Sequence, residues 1–400
     1  MVFHVHFSNS ENSGEIRRIR NIDENMVALI DDEVIEIAFV SAANIFKGSD
    51  FVLSRSVRKK YCLPQLPLSF SRSLVKRLNV IWCSLLLLLI YFMYKPKTVV
   101  CEYSIGYQAL KFIPKYVRCI VDVHAAVTDE YLYKNGMRYD VMAATYDYLE
   151  KNTMARASRI VCQSMAMKHY LLNKYDFLSE SIIYPYCCNA SPSFFFYDET
   201  LRANTRKFLG IGDSEIVFIY AGGLHSWQKV PESIKLFSRF CERHGKSKMI
   251  ILSLDVHGVN VLIDNICPRL YDSFIVKTVR NDDVCKYLNA ADIAFLLRDD
   301  VVMNQVASPT KLAEYMSCGL PIISSSVSRY WVNRNEFVFN IDERDVSELE
   351  CYIKSEDRHM ISEYARQELS LEKDNREIHR LLRDEYGINN AVMSDDSVHF

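Results

Sequence analysis

Strand-like apolar runs alternate with helical stretches along both halves of this chain, and that alternation constrains its fold more than any other feature. A strand followed by a helix can return to a parallel neighbour, so the pattern predicts α/β architecture on parallel sheets. In the first half, Val2–Phe7, Thr98–Glu102, Cys119–Val123, Arg159–Cys162 and Ser181–Tyr184 read as strands, with helical patterns over Tyr139–Ala157 and Met165–Lys174. In the second half, Glu215–Tyr220, Met249–Leu254, Ser273–Val276, Asp292–Leu297 and Pro321–Ser324 read as strands, separated by helical runs at 231–244, 282–290 and 309–317. Between the halves the turn-rich segment CCNASPSFFFYDET reads as a linker. The 400 residues suit two domains. The expected boundaries are 1–190, 191–372, and a C-terminal helix and tail over 373–400 that packs back on the first domain.

With 49% apolar and 24% charged residues the chain reads as globular, and a formal net charge of −2 does not suit a dedicated nucleic-acid binder. Twelve cysteines form no CxxC pair and no His/Cys cluster at zinc spacing, which fits reduced thiols in a cytoplasmic protein and no bound metal. The N-terminus MVFHVHFSNSENSG has no signal-peptide apolar core. One segment departs from the average. From Phe51 to Cys101 there are nine Lys and Arg but no Asp or Glu, and VIWCSLLLLLIYFMY at 80–94 lies inside it. Fifteen helical residues reach only about 22 Å, short of the ~30 Å hydrocarbon core. Two readings remain: a buried core helix, or a basic apolar patch resting on an anionic membrane surface.

Ligands of open parallel sheets gather outside the carboxyl ends of the strands, and three features of the second half fall there. The strand in IVFIYAGGLHSWQK runs into Gly222 and Gly223, which form either a plain tight turn or a close backbone approach to phosphate or sugar. AADIAFLLRDD ends its strand at Arg298, which either pairs with Asp299 or Asp300 or meets an anion. In VASPTKLAEYMSCGLPII, Ser308 reads as an N-cap, Pro309 as the first helical residue and Gly319 as the stop. Lys311 and Glu314 then share one helix face. They are either a solvated ion pair or a cation for an anion site with a carboxylate for ribose hydroxyls one turn behind.

The first half is less specific. Gly14, in the loop SNSENSGEIRRI after the first strand, matches only part of a dinucleotide fingerprint. His124 leaves a strand two residues after Asp122, as either a structural histidine or a contact to a sugar hydroxyl. His4 and His6 read as structural.

These stretches together resemble GT-B glycosyltransferases, in particular the bacterial GT4-like group. The likeness is carried by YAGGLHSWQK (220–229), LNAADIAFLLRDD (288–300) and VASPTKLAEYMSCGLPII (306–323), with looser echoes in VVCEYSIG (99–106), CIVDVHA (119–125), ARASRIVCQSMAMKHYL (155–171) and SIIYPYCCN (181–189). The resemblance implies two Rossmann-like domains facing a cleft, with a nucleotide-diphosphate sugar on the C-terminal domain and the acceptor on the N-terminal one. Glu314 matches the second glutamate of the E-x7-E motif, which meets the donor ribose. Val306 stands where the first glutamate belongs, leaving Asn304 or Ser308 to take over the donor sugar. Gly223 and Gln228 replace the usual arginine and lysine, which moves the diphosphate clamp to Lys229, Arg298 or Lys311. His124 matches a histidine that contacts the donor sugar.

The expected activity is therefore transfer of a sugar from a nucleotide donor, UDP favoured, to a saccharide or lipid-linked saccharide acceptor in surface polysaccharide assembly. By likeness it retains the anomeric configuration and uses no metal or other cofactor; the scattered thiols suit the cytoplasm, and the basic first half suits a peripheral contact with the inner face of the plasma membrane. His124 and Glu314 are the expected catalytic pair. Gly222, Gly223, Lys229, Arg298, Asn304, Ser308, Pro309, Lys311 and Glu314 bind the donor, and Gly14 lies on the acceptor side. The alternatives are a non-catalytic sugar-nucleotide-binding subunit and a GT-B epimerase.

Overall fold

A computed structural model describes residues 1–7, 21–22, 24–26, 34–41, 57, 59–66, 73–102, 110–187 and 190–386. The chain divides into two compact units, Met1–Cys188 with Asp374–Phe400, and Asn189–Lys373. Each is built on one parallel sheet.

The first sheet has seven strands: β1 (Val2–Phe7), β2 (Val34–Ser41), β3 (Lys59–Gln65), β4 (Thr98–Glu102), β5 (Arg118–Val123), β6 (Arg159–Cys162) and β7 (Ile183–Pro185). Their order is β3-β2-β1-β4-β5-β6-β7. The sequence reading missed β2 and β3 for different reasons. β2 holds Glu36 in an otherwise apolar run, a charge tolerated because His6 Nε2 lies 2.9 Å from its Oε1. β3 is a polar edge strand carrying Pro64, and only an edge accepts a proline. His6 is buried as part of this framework. One core face of the unit joins Val2, Val100, Ile120 and Tyr186 to Ile378, Leu381 and Leu382 of the helix Leu371–Tyr386.

The second sheet has six strands: β8 (Ile216–Ala221), β9 (Ser247–Leu252), β10 (Phe274–Lys277), β11 (Ile293–Phe295), β12 (Ile322–Ser324) and β13 (Val338–Asn340). Their order is β10-β9-β8-β11-β12-β13. The three-residue edge strand β13 was also invisible to periodicity, which needs more turns of the pattern. Along β8, Val217 and Ile219 enter one core while Phe218 and Tyr220 enter the other, so both faces of the sheet are covered. The described cysteines are free thiols.

Gly319 ends the helix Thr310–Ser317 as the sequence indicated, with φ +71°. A Cβ there would sit 2.6 Å from the backbone oxygen of Arg358, which cannot swing aside as a side-chain tip can. Gly319→Ala is expected to cost about 2–4 kcal/mol from left-handed strain plus this clash, read by chemical denaturation.

Candidate functional site

In the second sheet the chain builds outward from β8 through β9 to β10, then restarts on the other side of β8 with β11, β12 and β13. The connections leaving β8 and β11 therefore diverge, and such a switch point leaves a crevice outside the carboxyl ends of the two strands. The helix Thr310–Ser317 is tied to this place. The Tyr315 hydroxyl accepts a hydrogen bond from the Ala221 backbone N–H, 2.9 Å away, at the last residue of β8.

Lys311 is the centre of the arrangement. Its Nζ donates to Gln228 Oε1 at 2.8 Å and to the Tyr220 hydroxyl at 3.2 Å, and lies 4.6 Å from the centroid of the Tyr220 ring. The side chain occupies space that any other residue at position 222 would fill. A Cβ on Gly222 would fall 2.6 Å from Lys311 Cε and nearer still to Nζ. Among the described residues no carboxylate comes within ion-pair distance of that ammonium. Burial, and next the positive charge of Arg298, pull the Lys311 pKa down to about 7, with Glu314 opposing them. The solvated Lys311–Glu314 ion pair is thus not formed: the lysine turns inward to Tyr220 and Gln228.

Arg298 is buried as well, and its Nη1 donates to the Leu297 carbonyl at 2.8 Å. Burial lowers its pKa. Neither neighbouring aspartate takes it. Asp299 pairs with Lys229 at 2.7 Å and Asp300 with Arg329 at 2.8 Å. Lys311 and Arg298 thus lie within electrostatic reach of each other in a partly desolvated place, the first bonded to Tyr220 and Gln228 and the second to a backbone carbonyl. Such a site gains by taking up an anion.

The remaining expected residues take varied positions. Lys229 adopts a left-handed conformation (φ +52°) and is held by Asp299, which raises its pKa. Asn304 is buried, with its amide donating to the Asp299 carbonyl at 2.9 Å, while its own carbonyl accepts from the Trp331 indole at 2.9 Å. Gly223 accepts from the Tyr220 hydroxyl at 2.6 Å. Val306 is buried. The helix start differs from the sequence reading. Pro309 is extended (ψ 109°) and is itself the half-in residue, its carbonyl accepting from Leu312 N–H at 2.8 Å, so Ser308 is not the cap. Glu314 is partly buried on that helix, within electrostatic reach of Lys311. His124 belongs to the first unit, at the exit of β5, its Nδ1 3.9 Å from Asp122 Oδ2. Gly14 lies outside the described residues.

Sequence reasoning missed Tyr220 and Tyr315, which position the lysine and the helix. Their signal was faint: an aromatic with a hydroxyl near a strand end and another beside Glu314, both easily taken for plain core.

No family model matches this sequence, and no curated protein matches it. Solved structures do. Sucrose-phosphate synthase from Thermosynechococcus elongatus superposes with a TM-score of 0.70 at 13% identity, covering 97% of this chain and 100% of that one. HepE from Anabaena, in complex with UDP, gives 0.67 at 14% identity over 96% and 100%. The lipopolysaccharide outer core galactosyltransferase WaaB gives 0.66 at 14% over 96% and 100%. At these identities the likeness is one of architecture, and it agrees with the two parallel-sheet units. The chain has the GT-B fold.

Proposed function

We propose that this protein is a glycosyltransferase that moves a sugar from a nucleotide-diphosphate sugar to a saccharide acceptor. The observation that carries the reading is that Lys311, partly buried, and Arg298, buried, lie within electrostatic reach of each other at the β8/β11 switch point, with Lys311 on Tyr220 and Gln228 and Arg298 on the Leu297 carbonyl. When the bond from the anomeric carbon to the diphosphate breaks, negative charge builds on the leaving oxygen. Preorganised cations offset it without reorganisation. The acceptor hydroxyl oxygen forms the new bond to the anomeric carbon and passes its proton to the departing diphosphate oxygen. In this reading Lys311 and Arg298 hold the diphosphate, Glu314 accepts hydrogen bonds from the ribose hydroxyls, Gly223 approaches the donor through its backbone, and Gly222 leaves the room that the Lys311 side chain occupies. A role for His124 toward the donor sugar rests on the resemblance alone. Lys229 can join the clamp only by leaving Asp299.

UDP as the nucleotide, retention of configuration, metal independence and a place in surface polysaccharide assembly rest on resemblance, and a lipid-linked acceptor at the inner membrane face rests on the basic, apolar segment of the first half. HepE, solved with UDP and with UDP-glucose, supports the choice of base.

The test is calorimetric binding of UDP, GDP, CDP and ADP to the wild type and to Glu314→Ala. One nucleotide is expected to bind, and the substitution to weaken it about tenfold, or ~1.4 kcal/mol. If none binds, or binding ignores Glu314, the site is not a donor site. Val306, buried and apolar where the family has a glutamate, favours a second reading as a non-catalytic sugar-nucleotide-binding subunit. Sugar transfer by the purified chain alone eliminates it.

A further inference from the structure

The apolar run at 80–94 is part of a longer helix, Ser73–Tyr94, whose two faces are both apolar. Asn79, Val80, Cys83, Ser84, Leu87, Ile90 and Tyr91 are buried against the first unit. The opposite face carries Leu78, Trp82, Leu85, Leu89, Phe92 and Met93, which recur every three or four residues and occupy roughly a third of the circumference. These side chains are exposed: Leu89 by 64%, Phe92 by 63% and Met93 by 67%. The buried face is a normal core face, with Val80, Leu87 and Ile90 beside the polar Asn79 and Ser84, and the outer face is apolar in addition. A soluble helix puts charge on that outer face, and a continuous apolar stripe of this size marks a docking surface.

The surroundings say what docks there. From residue 51 to residue 118 the chain holds twelve Lys and Arg against a single acidic residue, Glu102. Where the stripe ends, Lys95, Lys97, Tyr116 and Arg118 line one shallow surface depression, and Lys111, Phe112 and Lys115 are exposed close by in the chain. Tyr116, 79% exposed, shares a short hydroxyl–hydroxyl hydrogen bond with Tyr91, and the half-exposed Trp82 donates its indole N–H to the Pro64 carbonyl at 2.7 Å. Aromatic side chains fixed at their polar ends beside an apolar strip, with lysines around them, suit the interface of a bilayer. No described helix is long and apolar enough to cross a membrane. A second copy of the chain fits the stripe poorly, because it would set two strongly basic surfaces against each other.

We propose that the outer face of the helix Ser73–Tyr94 lies in the interfacial layer of an anionic phospholipid membrane, with Lys95, Lys97, Lys111, Lys115 and Arg118 on the lipid phosphates. The helix runs along the surface and spans nothing. This deepens the lipid-linked acceptor part of the proposed function, since an enzyme held on the bilayer meets its acceptor in two dimensions. The binding surface itself does not depend on the donor site.

The experiment is flotation of the full chain with phosphatidylcholine vesicles, with and without phosphatidylglycerol, alongside UDP calorimetry and light scattering. The wild type is expected to float with the anionic vesicles and about tenfold less with the neutral ones. Leu89→Glu/Phe92→Glu is expected to lower vesicle partition about tenfold or more and leave UDP affinity unchanged. Lys95→Glu/Lys97→Glu, which keeps the apolar stripe, is expected to lose the preference for anionic vesicles. The proposal is overturned if the wild type fails to float with anionic vesicles, or if both variants float as it does. A wild-type dimer that Leu89→Glu/Phe92→Glu dissociates, without flotation of either, assigns the stripe to a second copy and also overturns it. Flotation without UDP binding would sink the donor reading and leave the membrane surface standing.

Discussion

Lys311→Met is expected to raise the melting temperature at pH below 7 while removing most of the affinity for UDP. The two effects have one cause. The folded environment pulls the lysine from its ordinary 10.5 down to about 7, so between these values the unfolded chain binds the proton and the folded chain does not. Stability therefore rises with pH across that window, and the full penalty is present below pH 7. The shift corresponds to a few kcal/mol. Partial exposure of the side chain and its bonds to Gln228 and Tyr220 reduce what methionine can recover to about 1–2 kcal/mol, or about 2–8 °C. The gain should fade as pH approaches 10.5. The affinity loss is that of a charged hydrogen bond to phosphate, about 10–100-fold. Binding a diphosphate favours the ammonium form, so wild-type UDP binding above pH 7 should take up a proton. Calorimetry in two buffers of different ionisation enthalpy reads this directly. A variant that loses UDP affinity without gaining stability, and a wild type that takes up no proton, would contradict this account of the lysine.

Gly222→Ala should reproduce the binding defect without touching a charge. The residue sits at φ +148°, and an added Cβ meets Lys311 Cε at 2.6 Å and the Tyr220 hydroxyl at 3.2 Å. The lysine tip can swing away, so the clash costs the fold little, and the backbone conformation contributes about 1–3 kcal/mol of destabilisation. What is lost is the position of the ammonium. The expected result is again a 10–100-fold weaker UDP affinity, now with a lower melting temperature. The double variant separates a shared mechanism from two independent ones. In the Lys311→Met background, Gly222→Ala should cost no further affinity, because the group it displaces is gone. Additive losses would mean that Gly222 serves the donor by its own backbone, as the sequence first suggested.

The contrast between those two accounts of Gly222 shows where local pattern stopped being informative. The double glycine after a strand signalled a close approach, but the sequence does not say what approaches. The group is the tip of a lysine 89 positions away, brought there because Tyr315 bonds the end of β8 and aims the helix. The Lys311–Glu314 spacing left a surface pair and an anion site both open for the same reason: spacing places two residues on one helix face and cannot report that this side chain turns toward a tyrosine and a glutamine. Ser308 looked like a cap because serine before proline commonly is one, and the extended ψ of Pro309 moved the start by one residue. The outer face of the helix Ser73–Tyr94 was half legible. Its apolar run was plain, and which residues of it face outward was not.

What the sequence determined by itself was set within single elements: most of the buried strands, though not β2 with Glu36 inside it, the helices of clear period, the stop at Gly319, and hence two α/β halves on parallel sheets. These depend on each residue's own backbone preference and on neighbours a turn away. The tertiary structure alone decided the edge strands β3 and β13, whose pairing is set by the adjacent strand, and the charge state and direction of Lys311. Both depend on groups distant in sequence that exclude water from one point in space, and desolvation is a property of that assembled place.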